Sequence, residues 1–296
     1  MQPINQTEQR NPRSSGIDSR STFDMLQIMN DEDMAVPQIV RAALPQIAQA
    51  VDAIAARMAQ GGRLIYVGAG TSGRLALIDA VECVPTFNTP PELVVALLAG
   101  GQGAFMQAVE GAEDDAAQGA ADIGALKVSA VDSVVGIAAS GRTPYVLGAL
   151  DAAAHAGAIT VGIACNLPSP LLDQAQIAIG LPVGAEVITG STRLKAGTAQ
   201  KLVLNMISTA VMIRLGKVYD NLMVDVKPTN RKLVDRAERI TAEIGGVDQG
   251  AARRLLRECE YQVKTAVVMA RFGIAPEQAR ERLAAAGGRL RLVLDG

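Results

Sequence analysis

The stretch Arg63–Phe87, RLIYVGAGTSGRLALIDAVECVPTF, constrains this chain more than any other. Leu64-Ile65-Tyr66-Val67 is a short apolar run of the kind that forms a buried parallel strand. Gly68-Ala69-Gly70 ends it, and Thr71-Ser72-Gly73 leads into a helical stretch from Arg74. A strand, a glycine turn and a hydroxyl-bearing helix start together make an anion cradle. Glycine lets the backbone approach closely, and the free amides of a first turn point at the anion. The helix end adds roughly half a positive charge. Glu82, further along, is an acid placed to meet a sugar phosphate held in such a cradle. Other readings of the turn stay open. It is near the dinucleotide fingerprint G-x-G-x-x-G, but the third glycine is missing and no acid ends a second strand about 20 residues on. The lysine of a nucleotide P-loop is also missing. A glycine turn with no ligand fits the same spacing.

The rest of the chain repeats this logic. Strands are predicted at Leu93–Leu98, Ser133–Ala138, Ile159–Ala164 and Ile177–Leu181, alternating with helices. That alternation predicts an α/β fold, a doubly wound parallel sheet of five strands. The third strand runs into Ser140-Gly141-Arg142-Thr143-Pro144, again hydroxyls around a glycine before a helix, here Tyr145–Ala156. In such sheets ligands sit beyond the carboxyl ends of the strands, where both loops lie. Helical periodicity marks Thr22–Met34 and Pro37–Gln60, with Pro45 bending the second or starting a new helix. Phe105–Gln118 reads as a helix carrying Glu110, Glu113, Asp114 and Asp115, which by composition alone form a solvated face. A long helix follows the polar entry Ser191–Lys195, a segment able to face a ligand or another subunit. Residues 1 to 20 read as disordered or loosely draped, and residues 240–296 as three short helices. The expected divisions are residues 1–60, a tail and helices packing on the core; 61–226, the sheet domain; and 227–296, a linker and a small helical domain.

Composition excludes several function classes. The net charge is -2 over 296 residues with both signs dispersed, so nothing points to nucleic acid or an anionic membrane. No apolar run reaches the ~18 residues of a membrane span. The polar N-terminus lacks the apolar centre of a signal peptide. Cys83, Cys165 and Cys259 are far apart and fit neither metal spacing nor a disulfide framework, so a reducing cytoplasm is expected. The single histidine, His155, reads as a helix-surface residue. Acid–base chemistry in this chain therefore falls to carboxylates.

Several blocks, in order, resemble a known family. They are NDED (Asn30–Asp33), GRLIYVGAGTSGRL (Gly62–Leu75), DAVECVPTF (Asp79–Phe87), VEGAED (Val109–Asp114), GIAASGRTPYV (Gly136–Val146), GSTRLKAGTAQKLVLNM (Gly190–Met206) and NLMVDV (Asn221–Val226). The chain resembles the N-acetylmuramic acid 6-phosphate etherases, of the sugar isomerase (SIS) domain superfamily, over almost its whole length. Val81 and Val84 stand where that family often has a small residue and a proline; neither touches a proposed catalytic group. The resemblance implies cleavage of the lactyl ether of N-acetylmuramic acid 6-phosphate by elimination and water addition, with no cofactor and no metal. It maps the family's two catalytic glutamates onto Glu82, the proton donor to the ether, and Glu113. For Glu82 to hold a proton at neutral pH, burial or a second carboxylate must raise its pKa. Phosphate binding falls to Thr71, Ser72 and Gly73 with Ser140, Gly141 and Thr143. A sugar-phosphate isomerase would share the fold and the phosphate loops without needing both acidic motifs. A silent sugar-phosphate-binding regulator would bind and turn nothing over. A single SIS domain leaves its cleft open on one side, which predicts a homodimer with the site at or near the subunit interface.

Overall fold

The computed structural model describes residues 5–107, 109–226, 228 and 230–296. Three helices come first: α1 (Thr22–Asp33), α2 (Val36–Ala42) and α3 (Leu44–Met58). The break at Ala43, just ahead of Pro45, makes the expected long helix two, since a proline ring cannot continue the upstream hydrogen-bond ladder. Then β1 (Leu64–Gly68), α4 (Gly70–Phe87), β2 (Val94–Leu98), α5 (Ala116–Ala125), β3 (Ser133–Ile137), α6 (Pro144–His155), β4 (Ile159–Ala164), α7 (Pro170–Gln174) and β5 (Ile177–Gly180) alternate. The five strands form one parallel sheet in the order β2-β1-β3-β4-β5. It is the doubly wound sheet expected from sequence. The long helix α8 (Lys195–Arg214) follows.

Side-chain alternation along the strands gives each face its own partners. Ile65, Val67 and Val134 join Ile123 of α5 and Tyr145, Val146 and Leu150 of α6 in one buried cluster. Tyr66 points to the other face, where its hydroxyl donates to Asp79 of α4 at 2.9 Å. Asp79 also accepts from Asn205 (2.6 Å) and Ser208 (3.0 Å) of α8. Three donors thus satisfy a buried carboxylate and pin α8 to α4.

The chain divides into two compact units. One takes in the chain up to Ala80 together with Glu92–Ser208; the other joins Val81–Pro91 to Thr209–Gly296. Lys227 and Thr229, at the linker expected after residue 226, lie outside the described residues. The second unit carries a two-stranded ribbon (Val218–Tyr219 and Leu222–Met223) and α9 (Arg231–Gly245), α10 (Gln249–Glu258), α11 (Val263–Phe272), α12 (Pro276–Ala285) and α13 (Leu290–Leu294). Five helices replace the three expected between residues 240 and 296 and its approach. Gly246 and Gly273, glycines at which the sequence predicts breaks, are both left-handed and end α9 and α11. This unit has its own core, around Ala237, Leu256 and Val267.

Two further expectations change. Residues 105–118 are not one helix: 3-10 turns at Gln102–Phe105 and Ala112–Asp114 precede α5, whose Ncap is Asp115, and Ala108 lies outside the described residues. Gly111, left-handed at φ 72°, breaks the run. Nor are residues 5–20 loose. They form three 3-10 turns with Thr7, Asn11 and Ser14 buried against residues more than 150 positions away. Among the described residues no single helix is long and apolar enough to cross a membrane.

Candidate active site

The site follows from topology. From β1 the chain runs through α4 to β2 on one side, while β3 lies on the other, so the strand order reverses between β1 and β3. Gly68 and Ile137 are paired at the carboxyl ends of those strands, and the two hydroxyl-bearing loops leave side by side. A cavity of about 360 Å³ opens there, lined by Thr71, Ser72, Ser140, Arg142, Thr143 and Thr192, with Glu8, Glu113 and Asp114.

The first loop differs from its sequence reading. α4 begins at Gly70, not Arg74, so Thr71 and Ser72 stand inside its first turn. First-turn amides have no helical carbonyl to bond, which leaves those of Gly70, Thr71 and Ser72 facing the opening; that of Gly73 already donates to Ala69 at 3.2 Å. Ser72 is buried and its hydroxyl donates to Gln200 Oε1 of α8 at 2.9 Å. What Ser72 offers a ligand is its backbone N–H. Gly73 does not line the cavity. A Cβ on it would lie 2.3 Å from Leu98 and 2.7 Å from the Gly68 carbonyl, so its hydrogen is what lets α4 press against β1.

The second loop keeps its hydroxyls open. Ser140 Oγ accepts the Arg142 amide at 3.2 Å, which leaves its own hydrogen to donate. Thr143 is the Ncap of α6 yet makes no side-chain capping bond. Gly141 does not line the cavity either. It is left-handed (φ 66°), and a Cβ there would fall 2.3 Å from Ser169 Oγ. The starts of α4 and α6 and the Arg142 guanidinium therefore surround the opening with positive potential. The hydroxyl-and-glycine pattern assigns no role to Arg142, although it sits within the loop motif itself.

The two glutamates separate. Glu113 stands exposed in the 3-10 turn Ala112–Asp114 and lines the cavity. Glu82 is exposed on α4, eleven residues beyond Thr71 in sequence. It is not among the residues that line the cavity. Its helix neighbours at i−4 and i−1, Ile78 and Val81, are also exposed, by 51% and 57%.

A buried network holds the surrounding segments. Glu32, the acid of the NDED block, accepts from Lys195 Nζ (2.5 Å), Asn11 (2.8 Å) and Arg13 (3.2 Å). Burial pushes its carboxyl up, but the hydrogen bonds and the two cations outweigh that and hold it below the usual value. Glu186 caps the start of α8, accepting the amides of Lys195 (3.0 Å) and Ala196 (2.9 Å); burial raises its pKa. The expected helix-entry segment is thus partly a core element, with Thr192 alone of Ser191–Lys195 lining the cavity. His155 is exposed at the end of α6, as expected, bonded to the Asp151 carbonyl.

Comparison with known proteins matches residues 46–154 to the family described as glucokinase regulatory protein N-terminal SIS domain. The chain is 56% identical to the N-acetylmuramic acid 6-phosphate etherase of Pectobacterium atrosepticum, over 98% of this chain and 96% of that one. It is 55% identical to the enzyme of the same name from Yersinia pestis, over 97% and 98%. Among solved structures, a phosphoheptose isomerase from Francisella tularensis aligns with 66% of this chain and 100% of its own, at TM-score 0.50 and 18% identity. A phosphosugar isomerase involved in capsule formation from Bacteroides fragilis aligns with 68% and 95%, at 0.50 and 20%. These two likenesses are of fold.

Proposed function

Because the chain belongs to the N-acetylmuramic acid 6-phosphate etherase family, we propose that it cleaves the D-lactyl ether of N-acetylmuramic acid 6-phosphate to N-acetylglucosamine 6-phosphate and D-lactate. It is then a carbon–oxygen lyase of cell-wall amino-sugar recycling. The observation that carries this reading is identity of 55–56% along nearly the whole chain, against 18–20% to the isomerases that share its sheet.

The chemistry suits the cavity. The amides of Gly70, Thr71 and Ser72, the hydroxyls of Ser140 and Thr143, and Arg142 hold the phosphate. The ether at carbon 3 is a poor leaving group, but it lies β to the aldehyde of the open-chain sugar. Glu113 takes the proton from carbon 2, and the resulting enolate expels the ether oxygen as Glu82 protonates it. Water then adds to the unsaturated aldehyde. The step uses no metal and no redox cofactor, and each positioned acid or base contributes roughly 10²–10⁴-fold.

Glu82 reaches that ether from a second copy of the chain. Glu82 is not among the residues that line the cavity of its own chain, and a homodimer supplies it from the partner. Ile78 and Val81 put exposed apolar surface beside Glu82, and α1 adds Phe23 (73% exposed) and Leu26 (60%). A homodimer covering these faces buries Glu82 against the partner's cavity. Three buried free thiols accord with a reducing, cytoplasmic setting.

Lactate release from N-acetylmuramic acid 6-phosphate tests the reaction directly. An isomerase or a silent sugar-phosphate binder releases none. In deuterated water, Glu82→Gln is expected to keep exchange at carbon 2 of N-acetylglucosamine 6-phosphate while releasing no lactate; Glu113→Gln loses both. Mixing the two inactive variants tests the assembly. After subunit exchange in a two-fold dimer, shared sites restore about a quarter of wild-type activity, because half the dimers are mixed and each has one intact site. Sites built within one chain restore nothing.

A further inference from the structure

Resting on the reading that the cavity holds a sugar phosphate, we propose that Glu8 is a substrate-contacting residue whose carboxylate accepts hydrogen bonds from the sugar's hydroxyl groups. Residues 5–20 are the strap that holds it in place.

The strap is anchored with unusual thoroughness for so polar a segment. Thr7 is 1% exposed. Its amide donates to Asn166 Oδ1 (3.2 Å), its hydroxyl accepts from Asn166 Nδ2 (3.0 Å), and its carbonyl accepts the Gly190 amide (3.1 Å). Asn166 Nδ2 also donates to the Ala139 carbonyl at 2.9 Å, so one side chain ties the strap to the second phosphate-binding loop. Further on, Asn11 donates to Glu32 and to the Ala185 carbonyl, and Ser14 donates to the Val187 carbonyl at 2.7 Å. None of these bonds joins two strands of the sheet. Their common result is that the residue after Thr7 is presented at the cavity.

That residue is a carboxylate with nothing to hold. Glu8 is exposed and lines the cavity, and its carboxylate makes no hydrogen bond or ion pair among the described residues. It lies over Gly190, left-handed at φ 76°, where a Cβ would come within 2.9 Å of Glu8 Oε2. The glycine leaves room for the carboxylate. Such a charge is ill suited to the anionic groups of a sugar phosphate, which it repels across the cavity. It suits neutral donors. A carboxylate accepts from hydroxyls more strongly than a neutral group does, and a site built around such a bond rejects ligands that lack the hydroxyl. Glu8 therefore reads the sugar while the two loops read the phosphate.

The test compares two probes on the full-length protein, N-acetylglucosamine 6-phosphate and inorganic phosphate, by calorimetry. Glu8→Ala is expected to weaken the sugar phosphate about 10- to 100-fold, with Glu8→Gln between it and wild type, and neither weakens inorganic phosphate. Glu8 is exposed, so both variants fold, which a melting curve confirms. Unchanged sugar-phosphate affinity in Glu8→Ala overturns the proposal, as does an equal loss for both probes. Failure of the underlying reading looks different: a wild-type protein that binds neither probe refutes the sugar-phosphate cavity itself. One that binds the sugar phosphate but releases no lactate refutes only the etherase.

Discussion

At the amino ends of β1 and β3, Arg63 and Asp132 are bonded through Nε (3.0 Å) and Nη2 (2.9 Å), and Asp132 also accepts the amides of Arg63 and Ser129. At the carboxyl ends of the same two strands, Glu8 and Glu113 line a cavity and their carboxylates have no partner among the described residues. The sheet is one object, yet its two edges treat polar groups in opposite ways. At the closed edge the buried Asp132 carboxylate has its donors, and it ties the starts of the two strands together. At the open edge donors and acceptors stand unpaired, a cost in stability that a ligand can offset. Stability and chemistry thus occupy opposite ends of the same strands.

The largest effect on stability is expected at the closed edge. Asp132→Ala leaves Arg63 Nε and the amides of Arg63 and Ser129 without an acceptor and removes the counter-charge of the guanidinium, which keeps only its bond to the Leu126 carbonyl (3.0 Å). Asp132 is 3% exposed, and breaking a buried pair costs 3–5 kcal/mol; Arg63 at 25% keeps some water, so about 3 kcal/mol is expected. Urea unfolding measures it. Lactate release per folded molecule stays at the wild-type level, and a comparable fall in specific activity would break the separation of the two edges.

Next comes Gly73→Ala, which tests whether a residue in the loop motif is structural. Its Cβ meets a backbone carbonyl that has no room to move, and overpacking of about 2–3 kcal/mol is expected. The same change at the open position Gly70 meets nothing within 4 Å, although its φ of 53° adds strain of its own. A Gly73→Ala melting temperature equal to wild type would show that α4 and β1 part more easily than the contacts imply.

Smaller still is the contrast between two hydroxyls of the cradle. Thr143→Val removes an uncommitted donor and is expected to weaken N-acetylglucosamine 6-phosphate about tenfold while leaving stability within about 0.5 kcal/mol. Ser72→Ala breaks the bond to Gln200 and is expected to lower stability by about 1 kcal/mol with little change in affinity. Calorimetry and melting on both variants separate them; the reverse pattern would exchange their roles.

Much of this was legible in the sequence, and the exceptions share a cause. Buried parallel strands are continuous apolar runs, so Leu64–Gly68 and Ile159–Ala164 announce themselves, and both loops follow from the glycines and hydroxyls after them. What periodicity cannot report is a polar segment ordered by distant partners. The strap looks disordered because its order comes from Asn166, Val187 and Ala185, none of them local. Glu32 and Lys195 lie 163 residues apart, and neither the NDED block nor the α8 entry says that they meet. Gly73 and Gly141 mislead in the other direction. A glycine in a ligand loop reads as ligand contact, while here both are spent on close packing.

The subtlest expected effect is on pH dependence, and it again divides the edges. Burial pushes the Asp132 carboxyl up, but the Arg63 hydrogen bonds and the amides of Ser129 and Arg63 more than reverse this, so it titrates below its ordinary value. A group whose folded pKa is depressed contributes stability that is fully present above its unfolded value, near 4. That contribution is lost as pH falls through the lower folded value. Unfolding free energy should therefore decline from about pH 5 downward in the wild type. In Asp132→Asn the Asp132 contribution to that acid slope is gone, and the gap between the two proteins narrows as pH falls. Glu32, also depressed, keeps its own part of the slope in both proteins, so the variant is flatter without being flat. Urea titrations at half-unit steps from pH 7 to 3 measure this. Parallel curves would mean that Asp132 has the same affinity for a proton folded and unfolded, and the closed edge would then owe its stability to geometry alone.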